Sequence, residues 1–165
     1  MSLLRPVEGP TASLVQRLTT TRPEGVPGPR EVVIDVLLEL RPEATEMVLL
    51  MGGVRVLLVR WDGETLHQER SPQLPKEISS RRLLLGMQLT YWPEAAVRKA
   101  LHTGVRLDES EIDRVLLVEG RPMVEIHYPP GGSRIHGTTS FLNHRSGNRL
   151  VIESAAAERR EGAPP

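Results

Sequence analysis

His127 and His136 sit on what read as two consecutive strands, PMVEIHYP and RIHGTTSFLNH, and could meet across one ladder. Two facing imidazoles would be half of a zinc site, or a general base with a spare partner. The other histidines, His67, His102 and His144, add no pair at the spacing of a helical metal site, and no carboxylate stands obviously beside the strand pair. Solvated or hydrogen-bonded strand histidines are the ordinary case, so no metal is expected. A nucleophile for an imidazole base would come from Ser79, Ser80 or Ser140, with His127 as the base. That combination predicts hydrolysis of a model ester, abolished by His127→Ala. No G-x-S-x-G elbow accompanies it.

Asp108, Glu109, Glu111 and Asp113 read as a solvated loop leading into a strand, and nothing in their spacing selects a glycosidase-like pair. The pairs Gly52-Gly53 and Gly131-Gly132 fall in turns, and neither opens a Gly-Lys-Ser phosphate loop. Arg70, Lys76, Arg81 and Arg82 gather near one helix start, either as a solvated rim or as a mouth for acidic headgroups or an acidic partner. Aromatics for stacking nucleic acid are missing around them. These residues name no reaction, and neither catalysis nor a cofactor is expected.

The elements that must position them are easier to read. EVVIDVLLEL alternates along Glu31 to Leu40, with Val32, Ile34, Val36, Leu38 and Leu40 on one face. That is a half-buried strand. Ser13 to Thr19 precedes it, across the Pro- and Gly-rich TRPEGVPGPR. ATEMVLLM, VRVLLVRW and ETLHQER follow with short turns, which demands an antiparallel meander. In SPQLPKEISSRRLLLGMQLTYW the period becomes helical, and a second helix opens with Pro93 and ends near Gly104. Strands then resume in EIDRVLLVEG, PMVEIHYP, RIHGTTSFLNH and NRLVIES, before a tail, 156–165, expected to fray. The order predicts an α+β fold: a strongly curved antiparallel sheet or unclosed barrel, formed by one domain over 1–155 with a loop-rich 1–30. Helices of about fifteen and ten residues cover only part of the concave side of about eight strands. The space between is either an apolar concavity or an ordinary filled core.

The chain has 165 residues, with 21 basic and 21 acidic side chains, so no overall field draws it to nucleic acid or anionic lipid. Without cysteine it can form no disulfide or thiolate metal site. The start, MSLLRPVEGPTASL, lacks a signal-like apolar run. Both a cytoplasmic protein and a mature chain whose targeting segment has been removed fit it. With one Phe, two Trp and two Tyr in all, the placement of Tyr91 and Trp92 side by side at the joint of two helices stands out. Position makes them fasteners of the helical layer, each with a polar tip that needs a partner.

That joint carries a resemblance. Gln88-Leu89-Thr90-Tyr91-Trp92-Pro93, followed by Val97-Arg98-Lys99-Ala100-Leu101, resembles the signature of a family of small bacterial envelope lipoproteins, a domain of unknown function often encoded in aryl polyene gene clusters. Gly53 with Arg55, Trp61-Asp62-Gly63, Glu69-Arg70-Ser71-Pro72, Val124 to Tyr128, and Leu142-Asn143 with Gly147, Leu150, Ile152 and Ser154 agree in order, so the likeness runs roughly from 45 to 154. Gly86 and Asn148 depart from the family's usual acidic and aromatic residues, and no lipid-bearing cysteine is present.

Members of this family are similar to the LolA/LolB lipoprotein carriers, an unclosed β-barrel with helices as a lid over an apolar cavity. The resemblance implies a non-enzymatic carrier of acyl lipid or lipoprotein acyl chains at the periplasmic face of the outer membrane. It also implies other envelope carriers as partners, and anchoring through an N-terminal segment outside this sequence. The expected ligand cavity is formed by Val32, Ile34, Val36, Leu38, Leu40, Leu85, Leu89, Trp92, Val124, Ile126, Leu150 and Ile152, and the lid motif by Gln88, Tyr91, Trp92 and Pro93. A fourteen-carbon chain buried there would gain at most roughly 11 kcal/mol, at about 0.8 kcal/mol per CH₂. The alternatives are an assembly or scaffolding protein with a self-filled barrel, and an acyl-group hydrolase.

Overall fold

Hydrophobic alternation and glycine turns build one long meander. In the computed structural model, which describes residues 1–25, 27–75, 78–131 and 133–157, the strands are β1 (Ala12–Thr21), β2 (Glu31–Leu40), β3 (Thr45–Met51), β4 (Val54–Trp61) and β5 (Leu66–Arg70), followed by β6 (Val105–Glu109), β7 (Asp113–Val118), β8 (Arg121–His127), β9 (Gly137–Asn143) and β10 (Asn148–Ala156). They form one antiparallel sheet of ten strands in the order β5-β4-β3-β2-β1-β10-β9-β8-β7-β6. Gly52 and Gly53 turn β3 into β4 with φ of 57° and 79°, the left-handed pair that a two-residue hairpin requires.

Between β5 and β6 lie the helices α1 (Ser80–Tyr91) and α2 (Glu94–Ala100). Flat, ten strands would span about 43 Å, whereas α1 is about 18 Å long. Yet α1 reaches β5 through Ser80 Oγ on Gln68, β1 through Tyr91 and β7 through Arg114. The sheet must therefore curl around the helix. It does not close: β5 and β6 are its two edges.

Most strand boundaries follow the sequence reading, and three differences have physical causes. β6 was not expected; its five residues, VRLDE, offer only Val105 and Leu107 as an apolar alternation. The helices are shorter than expected, at 12 and 7 residues. Ser79 caps α1 by accepting from the Arg82 amide at 3.4 Å, so Ile78 falls before the helix, and Pro93 precedes α2 as its cap. α2 ends at Ala100, capped by Leu101 rather than by Gly104, which turns the chain toward β6 with φ of 84°. Of the expected tail, Ala156 ends β10, and residues from 158 on lie outside the described ones, as do Lys76 and Gly132.

Candidate functional site

Every polar atom of the joint has work inside the protein. Gln88, fully buried, uses its amide twice on one residue: Oε1 accepts from the Leu4 amide and Nε2 donates to the Leu4 carbonyl, both at 2.9 Å. Trp61 Nε1 donates to the same carbonyl at 2.7 Å, and Trp92 Nε1 donates to the Arg5 carbonyl at 3.1 Å. The Ser2 amide donates to the Ala100 carbonyl, and Lys99 reaches Glu8. Residues 2–8 thus form a strap across the helices. Gly9 follows it against the Trp92 ring, where a Cβ would lie 2.4 Å from a ring carbon.

The last turn of α1 leaves carbonyls without helical partners, and the far side of the sheet satisfies them. Arg114, with a fully buried side chain, donates through Nη1 to the carbonyls of Leu89 (2.5 Å) and Trp92 (2.9 Å). The Tyr128 hydroxyl donates to the Thr90 carbonyl at 2.7 Å. On the near side, Gln16 Nε2 donates to the Tyr91 hydroxyl at 2.6 Å and to Ser154 Oγ at 2.8 Å. Burial pushes the Tyr91 phenol up and the Tyr128 phenol up to about 12, so both stay neutral.

Glu109 completes the Arg114 cluster. It accepts from Arg114 Nε at 2.8 Å and Nη2 at 3.0 Å, and it also pairs with Arg134, whose guanidinium lies 4.8 Å from the centre of the Tyr128 ring. Burial alone would raise its pKa. The hydrogen bonds from Arg114 and Arg134 outweigh that and hold it below the ordinary 4.5. The solvated-loop reading of the carboxylates is therefore corrected for Glu109, whose side chain is 7% exposed. Arg70 is likewise no free rim charge, since its guanidinium holds the carbonyls of Leu74, Pro75 and Ile78.

His127 and His136 do not meet across the ladder. Ser140 stands opposite His127, and Asp113 stands on its other side with Oδ1 at 2.6 Å from His127 Nδ1. Asp113, His127 and Ser140 thus form a row in the order orienter, base, nucleophile. It lies on the outer face, where His127 and Asp113 are half-exposed and the neighbouring backbone is engaged in the ladder, so no donor pair faces a developing oxyanion. Among the described residues no group of three or more His, Asp or Glu is placed to hold a metal.

The expected cavity residues divide into two sets. Under the helices, Val36, Leu38, Leu40, Trp92 and Ile126 are each 1% exposed, and Leu89, Val124 and Ile152 are also buried. These side chains are packed against their neighbours in this structure. Val32, Ile34, Leu85 and Leu150 keep partial exposure. Burial fades in the same direction on four adjacent strands, toward the end that carries the β1–β2 and β9–β10 turns. Leu14 and Gln16 are buried but Leu18 and Thr20 are not; Thr139 is buried but Phe141 is not. By register, Val32, Thr20, Leu150 and Phe141 are direct neighbours across β2, β1, β10 and β9, and Ile34 and Leu18 form a shorter row behind them, ended by the buried Ile152. These rows line an open apolar mouth. Leu18 and Phe141 were missed in the sequence, although Phe141 is the chain's single phenylalanine. A separate open depression of about 420 Å³ lies where β9 begins beside β10, lined by Val15, Arg17, Asp35 and Glu153 among others.

An unclosed antiparallel half-pipe, its edges bridged by helices that buried polar side chains clasp from both sides, is the class of protein these features define. The chain belongs to the family described as "Protein of unknown function (DUF3261)", whose model matches residues 13–156. The matched span contains Gln88, Trp61 and Trp92, and the strap that they hold precedes it. No curated protein matches the chain.

Proposed function

We propose that this protein is a non-enzymatic carrier that takes an acyl chain, of a lipid or a lipoprotein, into the open end of its concave face. The observation that carries the reading is the pair of apolar rows at the mouth, partly exposed where the same faces of the same strands are buried a few residues further on. A hydrocarbon laid along them gains about 0.8 kcal/mol per CH₂ withdrawn from water, so six methylenes are worth roughly 5 kcal/mol before ordering costs. The packed residues beneath the helices are then the wall behind the site rather than its contact surface. The resemblance to the LolA/LolB carriers supports a place at the periplasmic face of the outer membrane, with other envelope carriers loading and unloading the chain. A second reading is an assembly or scaffolding protein with a self-filled barrel. Leu57, Leu84 and Val97, none of them exposed, favour it.

Native mass spectrometry on gently purified protein, with organic extraction, separates the two. A co-purifying acyl lipid supports the carrier. A clean apo mass with no displacement of a fluorescent fatty acid leaves the scaffold. Within the carrier reading, Leu150→Asp is expected to weaken probe binding by more than about tenfold while shifting stability by about 1 kcal/mol. Leu38→Ala, in the packed half, is expected to cost about 2–4 kcal/mol of stability instead.

A further inference from the structure

The chain's zero net charge conceals an uneven distribution. The antiparallel registers place the β1–β2, β7–β8 and β9–β10 turns at the mouth end of the sheet. Those turns and their strand ends carry Arg22, Arg30, Arg121, Arg145 and Arg149 against Glu24, Glu31 and Glu119. At the opposite end, the turns 41–44, 62–65 and 110–112 and the β8–β9 connection carry Arg41 and Arg134 against Glu43, Asp62, Glu64 and Glu111.

Two of the mouth arginines are engaged: Arg30 pairs with Glu24, and Arg22 donates to the Pro27 carbonyl. Arg121, Arg145 and Arg149 are exposed and have no ion-pair partner among the described residues. The sheet brings Arg121, distant in sequence, to the same end as Arg145 and Arg149. Arg145 lies in the turn after β9, and the His144 amide donates to the Met123 carbonyl on the strand that begins at Arg121. Arg149, next to Leu150 in β10, falls on the opposite face of the sheet. Elsewhere several exposed arginines are matched, as in Arg17–Asp35, Arg55–Glu69 and Arg60–Glu46, while Arg5, Arg81 and Arg82 on the strap and α1 also lack an ion-pair partner among the described residues.

We infer that the mouth selects an amphiphile with an anionic head, carboxylate or phosphate, whose chain lies on the Leu18, Ile34, Leu150 and Phe141 surface and whose head meets Arg121 and Arg145 at the rim. This rests on the carrier reading and adds the chemistry of the head to it. Arginine suits the task because its planar fork meets both oxygens of either head group. The attraction acts at an exposed rim, so it is moderate and screened by salt.

The test is calorimetric titration of the full chain with myristate, with the uncharged monomyristoylglycerol and with inorganic phosphate, in wild type and in the double variant Arg121→Gln/Arg145→Gln. Myristate is expected to bind about tenfold more tightly than monomyristoylglycerol at low salt. The advantage should fall below about threefold in the variant and at about 0.5 M salt, with the neutral ligand unchanged throughout. Inorganic phosphate should not compete. Equal affinity for charged and uncharged ligands overturns the inference and leaves the carrier reading standing. Competition by phosphate overturns the amphiphile in favour of a free-anion site. Binding of neither lipid removes the carrier reading and this inference with it. Both positions are exposed, so an unchanged thermal unfolding curve establishes that the variant is folded.

Discussion

Arg114→Ala is expected to cost about 3–5 kcal/mol of unfolding free energy, read as a lower urea midpoint, and to lower Tm by about 10 °C. Three losses combine. Glu109 keeps only Arg134, and the carbonyls of Leu89 and Trp92 lose the donor that ends α1. A buried charge and acceptors left unpaired carry their full desolvation cost. Arg114→Lys keeps the charge but not the fork and should recover part of the loss. Arg60→Ala, which breaks an exposed pair with Glu46, should change stability by less than about 1 kcal/mol. The cluster also predicts an acid limb. Glu109 titrates lower in the folded protein than in the unfolded chain, so its contribution is present above the ordinary 4.5 and is lost as pH falls through the depressed native value. Glu109→Gln should flatten that part of the stability profile. A profile identical to wild type would show that the cluster does not set it.

Trp92→Ala should cost about 3–5 kcal/mol as well, but with a different signature. The ring is 1% exposed and holds both the helical joint and the strap, through Arg5 and the surface against Gly9. Removing it leaves a void and loosens residues 2–8, so hydrogen exchange at the Leu4 amide should rise further than exchange in β8. Gln88→Ala should reproduce the faster exchange at Leu4 with a smaller loss, about 2–3 kcal/mol, because it removes two hydrogen bonds and little volume. If Trp92→Ala left both stability and lipid binding unchanged, the joint would not be the fastener described above.

The meander, its turns and its two-helix interruption were legible because period and glycine placement are local properties. The importance of the joint was legible from composition alone, since a chain so poor in aromatics places two of them together there. Its partners were not. Leu4 lies 84 residues from Gln88, and nothing in MSLLRP suggests an anchored strap. Glu109 looked solvated because its neighbours are charged, and only the fold brings Arg114 and Arg134 onto it. The alternation of β2 marked Val32 through Leu40 as one face without revealing that the face is packed at one end and open at the other. That gradient depends on where the helices lie, which no strand encodes.

The missing hydrogen bonds between β5 and β6 have a mechanical consequence. In a closed barrel the circumference is fixed by the ladder, and widening it means breaking a strand pair. Here the span between the edges is held by the core packed under the helices and by a few polar side chains: Ser80 on Gln68 toward one edge, and Arg114 and Tyr128 on the end of α1 toward the other. The half-pipe can therefore spread like a spring clip. Its stiffness is set by bonds that single substitutions can tune, while all nine backbone ladders of the ten-stranded sheet stay intact.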